Sequence, residues 1–204
     1  MVQSHNWRFR ARGWIGILGL LPLGFVAATS APPVREDSTV DLALDVLAWG
    51  CWVVGAGLRL WATLYIGGRK SREVVDAGPY SLCRHPLYLG SFFFALSVGL
   101  FLDSLVLAAG ILAAVFGYAL LTVPAEERYL RERLGDEYAR YCERVPRFLP
   151  RVRAWRSGES VVVRMKGLRT EVLRAAGWAC LPILLETLSH LRERPWWPHW
   201  FALP

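Results

Sequence analysis

Apolar residues in this chain come in long blocks with the charged residues gathered between them, and that segregation restricts the fold more than any other feature. A helix rises about 1.5 Å per residue and the hydrocarbon layer of a bilayer is about 30 Å thick, so a spanning helix needs roughly 20 mostly apolar residues. Four blocks meet or nearly meet that length: Gly13 to Ala31, Leu42 to Ile66, Leu87 to Leu102 and Ser104 to Ala125. A weaker fifth runs from Val172 to Leu191 and carries Arg174 and Glu186. The expected fold is an all-α integral membrane protein, a bundle of about five transmembrane helices, four of them well marked, with an added cytoplasmic amphipathic helix. The 204 residues read as a single membrane domain.

The first block follows Arg8, Arg10 and Arg12 and ends in Ala27-Ala28-Thr29-Ser30-Ala31, a pattern shared with cleaved signal peptides. Pro32 and Pro33 stand directly after the tempting site, so the segment is expected to stay as a signal-anchor helix. Loop charge sets the orientation, because basic loops are retained in the cytoplasm. The N-terminal arginines, the loop with Arg69, Lys70, Arg72 and Arg84, and the basic stretch from Arg128 to Arg156 fall on one side if four helices alternate. The other side receives Pro32 to Asp41 and Asp103, with Arg35 against Glu36, Asp37, Asp41 and Asp103. The expected location is a bacterial inner membrane with the N-terminus and the chemistry cytoplasmic.

A net charge of +7 does not make this a nucleic-acid protein, because its basic residues flank apolar spans rather than lining a soluble face with interleaved aromatics. Membrane lipids with anionic headgroups are the expected partners of that charge. Cys51, Cys83, Cys142 and Cys180 are far apart and show neither a CxxC pair nor a zinc-like spacing, so no disulfide framework or metal centre is implied.

The third and fourth spans are joined only by Leu102-Asp103-Ser104, which demands a tight antiparallel hairpin and brings His85 alongside Glu126. After Pro124, the segment from Ala125 to Glu143 is charged and amphipathic, with Leu130, Leu134, Tyr138 and Tyr141 at helical spacing. It is expected to leave the membrane as a separate cytoplasmic helix that ends before Pro146.

Chemistry concentrates in the loop from Val74 to Gly90. Gly78-Pro79 is a turn signal, Arg84 and His85 offer donors at the interface, Pro86 suits the first turn of a helix, and Tyr88 lies one turn further on. Taken singly, these residues read equally well as interfacial anchors and an aromatic belt. Glu126 and Glu127 form an acidic pair suited to a cationic partner, although a solvated helix start with acids complementing the macrodipole is the simpler reading of the pair alone. Arg59 lies within the second span and must either snorkel to the surface or make a contact inside the bundle. His5, His190 and His199 sit in polar ends without evident partners.

Together these residues carry a resemblance. Gly78-Pro79-Tyr80, Arg84-His85-Pro86-Leu87-Tyr88-Leu89-Gly90, Glu126-Glu127, Leu134-Gly135, Tyr138, Tyr141 and Val145-Pro146-Arg147-Phe148-Leu149-Pro150 resemble the isoprenylcysteine carboxyl methyltransferase family, which is related to the phospholipid methyltransferases. The resemblance covers roughly Gly55 to Pro150. It implies a methyltransferase-like core over 55–150, followed by a tail over 151–204 that holds the fifth candidate span. It further implies use of S-adenosylmethionine, with a lipophilic small-molecule acceptor arriving from the bilayer. The cofactor-lining positions of the family fall on Val74, Val75, Tyr80, Arg84, His85, Pro86, Leu87, Tyr88 and Glu126, and no metal is required.

One departure stands out. The eukaryotic prenylcysteine enzymes place an acceptor-side arginine about one turn before the acidic pair, where this chain has Leu120-Leu121-Thr122-Val123. The catalytic candidates are therefore Arg59, Glu127 and Arg147, with the acceptor itself left open. Two other readings stay open at this level, a membrane reductase of related architecture and a non-enzymatic membrane scaffold.

Overall fold

The structure is a computed structural model and describes residues 24–26, 28–30, 38–67, 69, 72–101, 105–158, 163 and 165–201. The described residues form four long helices, α1 over Thr39–Ile66, α3 over Pro86–Phe101, α4 over Leu105–Arg144 and α5 over Met165–Arg192. A single helical turn, α2, covers Pro79–Leu82, and a 3₁₀ turn covers Val152–Ala154. Among the described residues there is no strand, only an isolated bridge between Ser30 and Phe201. This is an all-α membrane protein.

Three helices are long and apolar enough to cross a bilayer: Thr39–Ile66, Ala108–Arg144 and Met165–Arg192. Their outward faces carry Leu42, Val46, Val53, Leu120, Leu121, Ile183 and Leu184, all exposed, an arrangement that hydrocarbon tolerates and water does not. The weaker candidate from Val172 is thus part of a 28-residue helix of spanning character. The third predicted span has the length of its block, which is short for a bilayer. It holds 16 residues, about 24 Å of helix, and qualifies only as a short apolar helix. Most of the first span, the arginines before it, the prolines after it, and the connection Leu102-Asp103-Ser104 lie outside the described residues.

One difference concerns Pro124. The segment after Pro124 was expected to leave the membrane as a cytoplasmic helix of its own, but the helix that begins at Leu105 continues past Pro124 without a break there. A proline inside a helix removes one N–H and leaves the carbonyl four residues earlier without its usual partner, a loss that bends a long helix without ending it. The break falls instead at Gly135, whose φ of 60° and ψ of −137° suit a residue without a side chain. The expected apolar stripe survives the break. Tyr138, Tyr141 and Val145 are buried together, with Val74, Leu130, Leu134 and Cys142 packed against them.

The chain divides into two compact units. In the first, which comprises Met1–Trp49, Ala95–Tyr118 and Pro182–Pro204, α3 and α4 approach so closely at Gly99 that a Cβ there would lie 2.4 Å from the Cβ of Ala108. Trp49 packs edge-on against Phe101, and Trp197 Nε1 donates to the carbonyl of Ala28 at 2.7 Å. His199 is not without a partner as expected, since its Nε2 lies 2.7 Å from the carbonyl of Arg192, and His190 is also engaged. The guanidinium of Arg192, 1% exposed, donates to the carbonyl of Ser30.

The second unit, Gly50–Phe94 with Ala119–Leu181, contains the loop motif and the acidic pair. Small residues let two backbones meet. A Cβ on Gly55 would stand 2.9 Å from the carbonyl oxygen of Gly90, so α1 and α3 touch where neither has a side chain. Helix α5 joins them through Trp178, which stacks on Phe94 with ring centroids 5.7 Å apart and accepts a hydrogen bond on its carbonyl from Trp52 Nε1.

Candidate functional site

The loop before α3 is built around Gly78. Its φ of 59° lies in the left-handed region, and a Cβ there would fall 2.4 Å from the ring of Tyr65. Only glycine meets both demands. Pro79 then starts α2, which ends at Cys83 in extended backbone, and Pro86 opens α3. Between the two helices, the N–H groups of Arg84 and His85 donate to the carbonyls of Pro146 and Arg147 at 2.8 and 3.2 Å. The stretch after α4 therefore runs back along the loop. It is fastened again where Arg151 N–H donates to Leu82 O at 3.0 Å and Gly78 N–H donates to Arg156 O at 2.9 Å.

At the centre of this unit is Glu127, 5% exposed. Its Oε1 accepts from His85 Nε2 at 3.1 Å and lies 2.9 Å from Arg84 Nη1, while Arg147 spans both oxygens, with Nη2 to Oε2 at 2.7 Å. Because a carboxylate can only accept, the His85 proton is fixed on Nε2. Arg84 keeps 13% of its side chain exposed and Arg147 keeps 51%, so one cation is interior and the other faces out. His85 lies between the rings of Tyr88 and Phe148, at centroid distances of 5.7 and 5.8 Å.

Its neighbour Glu126 is only partly buried and accepts from the hydroxyl of Tyr88 at 3.2 Å. The expected meeting of the loop arm, His85 to Tyr88, with the acidic pair is thus observed as two direct contacts. Neither carboxylate stands at a helix start, because α4 runs unbroken past Pro124, and the macrodipole reading of the pair falls away.

Tyr80 is 5% exposed, and among the described residues its hydroxyl has no hydrogen-bond partner. Burial raises its pKa, and the nearby charge of Glu126 adds to the shift. A buried phenol without a partner is costly in a finished core and ordinary in a site that receives a polar ligand. Its backbone is anchored independently, since the hydroxyl of Tyr141 donates to Tyr80 O at 2.9 Å. Val74, Val75 and Leu87 are partly buried and Pro86 is buried. Among the expected cofactor-lining residues, contacts tie Val74 to the Tyr138 and Tyr141 cluster, and Tyr88 to Glu126.

Arg59 neither snorkels nor joins this group. Its Nε lies 2.7 Å from Glu171 Oε1 and its Nη1 donates to Ser91 Oγ at 2.7 Å. Glu171 escaped the reading of the sequence because it sits just before the fifth candidate span. An acid at the edge of an apolar block, in a chain with one arginine inside another block, was the available signal. All four cysteines are free thiols, and among the described residues no group of three or more His, Cys, Asp or Glu side chains is placed to hold a metal ion.

The pattern of the isoprenylcysteine carboxyl methyltransferase family matches residues 43–132. The nickel-cobalt-cadmium resistance protein NccN of Alcaligenes xylosoxydans xylosoxydans is 36% identical over 203 residues, which span 100% of this chain and 93% of that protein. The cobalt-zinc-cadmium resistance protein CzcN of Cupriavidus metallidurans is 33% identical over 89% of this chain and 84% of its own length. Protein-S-isoprenylcysteine O-methyltransferase B of Arabidopsis thaliana is 27% identical over 98 residues, covering 48% of this chain and 50% of the plant protein. No solved structure matches the chain. With its motif loop and acidic pair joined in one unit, the chain belongs to the family of NccN and CzcN and carries an isoprenylcysteine carboxyl methyltransferase-like pattern over residues 43–132.

Proposed function

We propose that this protein transfers a methyl group from S-adenosylmethionine to a lipophilic acceptor at the cytoplasmic face of the membrane. The observation that carries the reading is the buried, unpartnered hydroxyl of Tyr80 beside the Glu126 charge, where the two arms of the family motif meet. A ligand with polar groups and a positive charge satisfies both. Tyr80, Tyr88 and Glu126 would hold such groups, with Val74, Val75, Pro86 and Leu87 lining the site and Arg84 and His85 bordering it. When bound, the cofactor supplies an electrophilic methyl group on a sulfonium, so the protein's main task is to hold donor and acceptor in line.

Among the candidates for contact with the acceptor, Glu127 is saturated by donors and Arg59 is engaged with Glu171. Arg147 keeps half its side chain exposed while anchored through Glu127, which favours it as the group that meets an acceptor. The metal-resistance relatives favour a setting in cells exposed to nickel, cobalt, zinc or cadmium. Calorimetry with S-adenosylhomocysteine tests the reading. Binding that falls at least tenfold in Glu126→Gln, with thermal stability kept, supports it; no binding by the folded wild-type protein, or stabilisation by NADPH instead, refutes it.

A further inference from the structure

A second site lies on the strip that fastens the motif loop. A cleft of about 460 Å³ is lined by Asp76, Glu143, Arg144, Arg151, Arg153 and Arg156, among others. Arg144 and Arg156 share one carboxylate, lying 3.3 and 3.5 Å from Asp76 Oδ2. Among the described residues, the side chains of Arg151 and Arg153 have no acidic partner. Four arginines against two acids leave a surplus of positive charge in one concavity, and guanidinium groups bind phosphate through paired hydrogen bonds.

The same strip exposes apolar side chains. Leu149 is 83% exposed and Val152 is 75% exposed, alternating with the arginines along the chain. Trp155, which also lines the cleft, stacks on Trp61 with centroids 5.3 Å apart. Trp61 belongs to α1, five residues before that spanning helix ends at Ile66. Indole rings collect at the boundary between hydrocarbon and headgroups, so the cleft is set at headgroup level with Leu149 and Val152 available to the acyl region. A site for a soluble anion has no use for those two side chains.

We propose that this arginine-lined cleft binds the headgroup phosphate of an anionic phospholipid. A zwitterionic lipid brings its own cation and leaves the surplus charge unmatched, which selects against it. The proposal stands apart from the methyl-transfer reading, since it uses none of the residues assigned to the cofactor. The strip that would take the lipid also holds Gly78 and Leu82 by its backbone, so an occupied cleft steadies the loop that carries Tyr80.

The test uses the full chain, delipidated in detergent micelles, and a fluorescent phosphatidylglycerol displaced by unlabelled competitors. Phosphatidylglycerol should compete at least tenfold better than phosphatidylcholine. R151A/R153A should bind about tenfold to thirtyfold more weakly, as expected if each basic side chain near the surface contributes about 1 kcal/mol. Both arginines are exposed, so the variant should keep the wild-type melting temperature, and R151K/R153K should recover part of the affinity. Equal competition by phosphatidylcholine, or unchanged binding in R151A/R153A, overturns the proposal. Displacement by inorganic phosphate or soluble glycerol phosphate at the concentration effective for the lipid also overturns it, by assigning the cleft to a soluble anion. Retained S-adenosylhomocysteine binding in R151A/R153A would separate this site from the cofactor site.

Discussion

Replacing Glu127 by glutamine removes one charge from the point where α4, the motif loop and the returning strip converge. Glutamine keeps the shape and one accepting oxygen but leaves two guanidinium groups facing a neutral amide. Stranding one partner of a buried ion pair costs about 3–5 kcal/mol, whereas an exposed pair contributes about 1 kcal/mol or less. Glu127 is 5% exposed and Arg84 largely buried, so that arm of the cluster takes the larger value; Arg147, half in solvent, takes the smaller. E127Q should therefore lose about 4 kcal/mol, Arg84→Ala about 3 and Arg147→Ala about 1. A double-mutant cycle should couple Glu127 to Arg84 more strongly than to Arg147. Reversible unfolding in mixed detergent micelles, followed by the fluorescence of the chain's 10 tryptophans, measures these differences. If E127Q stays within about 0.5 kcal/mol of wild type, or R147A costs more than E127Q, the buried-anchor reasoning is wrong.

Other expectations follow from single contacts. Tyr80→Phe removes a buried hydroxyl with no partner, so the protein without cofactor should be as stable as wild type or more so, while S-adenosylhomocysteine affinity falls; paired melts and calorimetry check both halves. Gly78→Ala should cost more than about 2 kcal/mol, from a strained φ and from the Tyr65 ring, and adding Tyr65→Ala should recover only the second part in unfolding measurements. Arg59→Leu alone should destabilise by about 2 kcal/mol, because buried Glu171 is left with only the longer contact to exposed Arg174, whereas R59L/E171L should regain part of that loss. Burial pushes the Cys83 thiol from its ordinary 9.0 up to about 11. The folded protein then keeps a proton that the unfolded chain releases, so stability is constant with respect to this group below pH 9 and falls as pH rises from 9 through 11. A Cys83→Ala variant should lose that alkaline component in pH-dependent melts.

Much of the site was legible because its parts are local. A Gly-Pro turn, a proline at a helix start and a tyrosine one turn along fix their neighbours through backbone geometry that each residue type imposes, and α2 and α3 begin where those residues stand. Which of two adjacent carboxylates is buried was not legible. Glu126 and Glu127 have the same chemistry, and only the packing of α4 against the loop turns one toward three donors and the other toward Tyr88. The role of Arg147 was hidden for the same reason, because its partner is 20 residues away and the strip must fold back for them to meet.

The sequence by itself determined that helices would form and that several would cross a membrane, since block length and apolar content are properties of the chain read in one dimension. It also marked the loop and the acidic pair. Tertiary structure decided where the long helix breaks, at Gly135 rather than Pro124. It decided what satisfies Arg59, which a helix outside the family match supplies through Glu171. It also gathered arginines scattered over 144–156 into one cleft beside an exposed apolar strip. Ion pairs and cavities depend on distances across the fold, and a linear pattern records those distances only when a local rule happens to set them.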